Sequence, residues 1–152
     1  MIHRSQQFHQ EQAERSVAQW VSTTMVLVHI GLGVSIVAGG SHRFSRPSYT
    51  PLIEIVHGHT WIWGLALLLS GTLMVIPNIW TNMAGLWIGM AWMIMWTACF
   101  TISASIYPTA VTTAMVAYAG LGAIDAILLT AKIFEMRFTA RARVEAQAQS
   151  GS

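Results

Sequence analysis

The sequence predicts an all-α fold, an integral membrane bundle of four transmembrane helices with both termini cytoplasmic, and three observations predict it. First, four apolar stretches, residues 20–40, 60–80, 84–107 and 109–131, take up most of the 152-residue chain. Each is roughly 20 residues long, the length an α-helix needs to cross about 30 Å of hydrocarbon. Second, charged residues are 9% of the chain and hydrophobic ones 54%, whereas soluble domains carry about 25% charged residues and under half apolar ones. Third, Arg4 and Arg15 precede the first stretch and Lys132, Arg137, Arg141 and Arg143 follow the last, six of the eight basic residues. Basic flanks stay on the cytoplasmic side, and an even number of spans puts both ends there. Only Arg43 and Arg46, in the first loop, disagree.

These features divide the chain into a polar cytoplasmic leader (1–19), a four-helix membrane domain (20–135) and a basic, partly disordered tail (136–152). Gly39 and Gly40 end the first span, and the loop that follows carries Arg43, Arg46 and Pro47. Thr50 and Pro51 read as the N-cap and first position of the second helix, which is expected to run on through the hydrocarbon to Pro77 and Asn78. The next connection is placed at Asn82, and the last at Tyr107 and Pro108, so consecutive spans should be antiparallel neighbours. Past Lys132 the helix is expected to continue as a basic interfacial collar, with disorder beyond Ala146.

Asp125 is an acid inside the fourth span. An ionisable group there is costly unless it meets a partner or water, which makes it a functional candidate by default. Its partner within the apolar regions is His29: at 1.5 Å per residue, His29 lies about 13 Å in from Trp20 and Asp125 about 10 Å in from Lys132. Gly31, Gly33 and Ser35 on one helix, and Gly122 and Ala126 on the other, are small enough to let the first and last helices approach closely. The plain reading is a buried hydrogen bond that fixes helix packing; the sharper one is a relay for protons or ions.

Glu54, His57 and His59 form a second polar cluster, read as an interfacial turn. Glu54 and His57 share a helical face at i,i+3, yet the further carboxylates of a di-iron bundle are missing. Haem ligation would need two imidazoles at one level, which the depth of His29 opposes. No metal or cofactor is therefore expected. In the third span Trp87, Met90, Trp92, Met93, Met95 and Trp96 read as packing or lipid-facing surface. Gly85 and Gly89 there have the small-xxx-small spacing of a close helix contact. Trp20, Trp61, Trp63 and Trp80 fall near span ends, where indoles prefer the headgroup level.

Phosphate loops, Cys-x-x-Cys, His-Glu-x-x-His and nucleophile elbows are all missing from the sequence, so no enzyme is expected. The single cysteine, Cys99, excludes an intramolecular disulfide. A net charge of +2 is accounted for by topology and implies no nucleic-acid partner.

In its size, span count, short loops between Trp80 and Pro108 and charged tail from Lys132 to Arg143, the chain resembles phage holins and holin-like proteins. The resemblance implies homo-oligomerisation in the bacterial cytoplasmic membrane, with the lipid bilayer as partner, to form lesions that serve a lytic enzyme during host lysis. Gly85, Gly89, Gly122 and Ala126 would then serve oligomer contacts, and Asp125 would favour association because it is costly when it faces lipid alone. The alternative is a small proton- or ion-coupled transporter, or a membrane subunit of a larger complex, using Asp125 and His29.

Overall fold

A computed structural model describes residues 2–45, 49–106 and 112–150. The described residues are mostly helical and form no strand: α1 (Ile2–Gly39), a 3-10 turn (Gly40–Phe44), α2 (Thr50–Ile55), α3 (Trp61–Val75), α4 (Ile79–Ile106) and α5 (Thr112–Ser150). Three of them contain segments long and apolar enough to cross a membrane, Ser16–Gly39, Ile79–Ile106 and Met115–Gln149. The segment corresponding to the second apolar stretch is a shorter apolar helix of 15 residues. The chain is thus a helical membrane protein.

Several boundaries differ from expectation. The leader joins the first span in one unbroken α1, and α5 is helical through Ser150, beyond the expected limit at Ala146. The second helix does not run from Thr50 to Pro77. It starts at Thr50 with Pro51 in its first turn, then stops at Ile55, because His57 and Gly58 turn to positive φ (49° and 83°). The Gly58 N–H reaches back to the Ile53 carbonyl at 3.0 Å and the His57 N–H to the Glu54 carbonyl at 3.1 Å, a Schellman-type ending with His57 at its left-handed position. The connection expected at Asn82 lies instead at residues 76–78. Ile76 is extended (ψ 127°), as a residue before proline prefers, and the Asn78 side chain accepts the Trp80 N–H at 2.9 Å, starting α4. The turn expected at Tyr107 and Pro108 lies outside the described residues.

Packing follows chain order, with α1 along α3, α3 along α4 and α4 along α5, while α1 and α5 touch little. Glycines set the first two contacts. A Cβ on Gly33 would sit 2.9 Å from the Gly64 carbonyl oxygen, and one on Gly64 would sit 2.8 Å from the Gly33 oxygen, so the α1 and α3 backbones meet directly. Gly85 abuts the Ser70 carbonyl in the same way, bringing α4 onto α3. Lipid removes most of the hydrophobic drive between helices, so such close backbone approach is what holds them together. Gly64→Ala should therefore destabilise the bundle by about 1–3 kcal/mol, the usual cost of overpacking where backbone cannot yield; denaturant unfolding in micelles measures it.

The loop end of the bundle, away from the chain termini, is an aromatic block. Trp92 and Trp96 stack at 4.2 Å, Phe100 stacks on Tyr118 at 5.7 Å, and Phe44 and Tyr49 meet them edge-on. Trp63, expected at the headgroup level, is buried here: its indole N–H donates to the Leu52 carbonyl at 3.0 Å and ties α2 over the bundle. Trp92 in turn donates to the Trp63 carbonyl at 3.0 Å. Trp20, Trp61, Trp80 and Trp87 are exposed.

Candidate functional site

Toward the other end, four helices each place one residue at a common level. His29 comes from α1, Ser70 from α3, Gly89 from α4 and Asp125 from α5, and the three side chains are 0% exposed. His29 Nε2 lies 3.2 Å from Asp125 Oδ2. On its other side His29 Nδ1 is 2.9 Å from Ser70 Oγ, and Ser70 Oγ donates to the Gly85 carbonyl at 2.7 Å.

The Ser70 bond assigns the histidine tautomer. Ser70 has one hydroxyl proton, and it is committed to Gly85, so Oγ accepts from His29 and the proton on that side of the ring is Nδ1–H. Nε2 then faces the Asp125 carboxyl group. Neither Nε2 nor the two Asp125 oxygens completes a well-aligned hydrogen bond with protein. The pair is in contact yet under-satisfied, and an incompletely bonded buried polar group is costly in a low-dielectric interior.

Gly89 makes this geometry available. A Cβ there would run into the His29 ring and stand 3.0 Å from both Asp125 Oδ2 and Ser70 Oγ. The imidazole occupies the space that a Cβ at this position would need, which only glycine permits. Ser70→Ala should cost about 1–3 kcal/mol by leaving the Nδ1–H without its acceptor, and nitrogen-15 NMR of His29 should show the tautomer preference weakened.

Of the residues singled out in the sequence, the expected pair His29 and Asp125 is brought together, but by side chains that reach across the bundle. The α1 and α5 backbones do not approach through their small residues as expected. Gly33 faces α3, Gly122 faces Met93 of α4, and Gly31 is exposed with nothing within 4 Å of its would-be Cβ. Ser35 is half-buried, and Ala126 lines a groove between α4 and α5. Gly85 and Gly89 pack inside the bundle, against Ser70 and Met74 and against His29. Asp125 meets its own chain's His29. Glu54, His57 and His59 are exposed, and the end of α2 at Ile55 takes Glu54 and His57 off the common helical face expected for them.

Comparison with protein-family models, with curated proteins and with solved structures finds no match. The site's own chemistry is therefore the guide to function.

Proposed function

We propose that this chain is a small proton-coupled membrane protein, or the proton-handling membrane subunit of a larger complex, built around the His29–Asp125 pair. The observation that carries the reading is a fully buried imidazole and carboxyl in contact, oriented by Ser70 and Gly89. The imidazolium–carboxylate and imidazole–carboxylic acid forms contain the same number of protons. Uptake of one more proton from water gives imidazolium beside carboxylic acid, and its release restores the pair. Ionisable side chains are costly in hydrocarbon, and proton relays are one of the functions for which histidines and acids are placed there in pairs. In this reading α3 and its apolar flanks form the fourth span, and the basic ends lie on the cytoplasmic side of a bacterial inner membrane.

A second reading, the holin-like lesion former, is favoured by one feature. The groove between α4 and α5, about 490 Å³, is lined by Ala98, Ala119, Gly122, Ala123 and Ala126, small residues that suit a helix of another copy.

Reconstitution into vesicles separates the two. An imposed pH gradient should dissipate through wild-type protein while an entrapped dye stays inside, and Asp125→Asn should abolish the proton flux. Release of dye, together with abrupt growth arrest on induced expression, would support the lesion former instead. An Asp125→Asn protein as conductive as wild type would sink the proton reading.

A further inference from the structure

We infer that in this conformation the His29–Asp125 site exchanges protons with water from the terminal side alone, through a polar vestibule at that end of the bundle, that Leu86 is the inner barrier of that route, and that passage across the bilayer awaits a second conformation open at the loop end. The inference rests on the proton-binding reading above.

The vestibule is a cavity of about 610 Å³ between α1, α4 and α5. Gln19, Ser22 and Thr23 line it from α1, Asn82 and Leu86 from α4, and Lys132 and Glu135 from α5. Its walls supply the donors and acceptors that ordered water needs. Lys132 and Glu135 form an exposed ion pair at 3.0 Å on its α5 side. Asn82 donates to the Met74 carbonyl at 2.6 Å, while its buried Oδ1 has no protein partner. That oxygen is an acceptor placed for water or hydronium.

Between vestibule and site stands one apolar layer. Met25, Met74, Leu86 and Leu129 form a separate buried cluster, and each lies three or four residues, one helical turn, from its counterpart at the site: His29, Ser70, Gly89 and Asp125. The layer is about 5 Å thick, the pitch of one turn. In the opposite direction the α4 path from Gly89 to Phe100 is about 16 Å at 1.5 Å per residue, filled by Met93, Trp92, Trp96 and Phe100, all buried. An apolar barrier three times thicker decides the direction of access. Leu86 is the member of the thin layer that also lines the vestibule, so its side chain separates water from the pair.

Two measurements on the full-length protein test this. In a Cys99→Ala background, Thr23→Cys and Asn82→Cys should react with a membrane-impermeant thiol reagent added at the terminal side and resist it from the loop side. Labelling from the loop side, or from neither, would overturn the vestibule. Deuterium exchange at the pair, followed by the infrared bands that Asp125→Asn removes, should be at least tenfold faster in Leu86→Ala and unchanged in Trp96→Phe. Leu129→Ala, from the same layer, replaces Leu86→Ala if that variant is not monodisperse and helical in detergent. Equal rates in wild type and the thinned variant, or faster exchange in Trp96→Phe, would overturn the barrier. If no band responds to pH or to Asp125→Asn in any variant, the proton-binding reading fails, and the one-sided exchange inferred from it fails too; the thiol labelling would then speak for the cavity alone. Bands that titrate with exchange indifferent to Leu86 refute the route and leave the binding site standing.

Discussion

Asp125→Leu should destabilise the bundle by about 3–5 kcal/mol, the usual consequence of removing one member of a buried pair and stranding the other. His29 would keep its bond to Ser70 but present Nε2 to hydrocarbon. The double variant His29→Leu/Asp125→Leu should recover much of that loss, because two apolar side chains of similar bulk leave no buried charge. Recovery measured by a double-mutant cycle in micelles, with proton flux absent from both variants, would separate the stability of the pair from its use. A double variant no more stable than Asp125→Leu would mean that the site is a packing device with no tolerance for hydrocarbon. Asp125→Asn keeps the shape and removes the carboxyl as a proton acceptor; it should fold, and its proton flux should be lost.

Gly89→Ala should be the most damaging single-methyl change in the protein. Its Cβ would occupy space held by the His29 ring, with Asp125 Oδ2 and Ser70 Oγ each 3.0 Å away. Overpacking of this kind costs about 1–3 kcal/mol, and the helix-propensity gain of alanine over glycine, about 1 kcal/mol, offsets only part of it. Because the α4 backbone is fixed by its own hydrogen bonds, the imidazole must yield, and the contact with Asp125 opens. Proton uptake should therefore fall along with stability. Gly31→Ala is the matched control: nothing lies within 4 Å of its would-be Cβ, so it should be neutral or slightly stabilising. Thermal unfolding of the two variants side by side gives the comparison.

The ionisable residues of this site were legible in the sequence because a histidine and an acid stand out against apolar runs, and helical rise alone put them at one depth. Ser70 was not legible. Hydroxyl side chains inside helices commonly bond the carbonyl four residues back, as Thr23, Thr72 and Thr97 do here, so a serine in a span carries no signal of its own. Glycines announced close contacts without naming the partner: Gly33 turned to α3 instead of α5, and Gly89 packed on a side chain instead of a helix. The break after Ile55 was hidden because one of its two positive-φ residues is His57, and a histidine does not announce a left-handed turn in a sequence as a glycine does. The apolar layer of Met25, Met74, Leu86 and Leu129 could not be read at all, since a methionine or leucine in a span looks the same whether it faces lipid or closes a passage.

The order of packing, α1 on α3 and α5 on α4, splits the molecule into two hairpins, and the site is divided between them. His29 and Ser70 arrive with the first, Gly89 and Asp125 with the second. During synthesis the first hairpin enters the bilayer carrying an imidazole with no acid to meet, and the second later brings an acid with no base. Each is a poor membrane resident alone, and docking relieves both at once. A chain whose second hairpin fails to dock would keep an ionisable group facing lipid, so the residues that equip the finished protein also favour its completion.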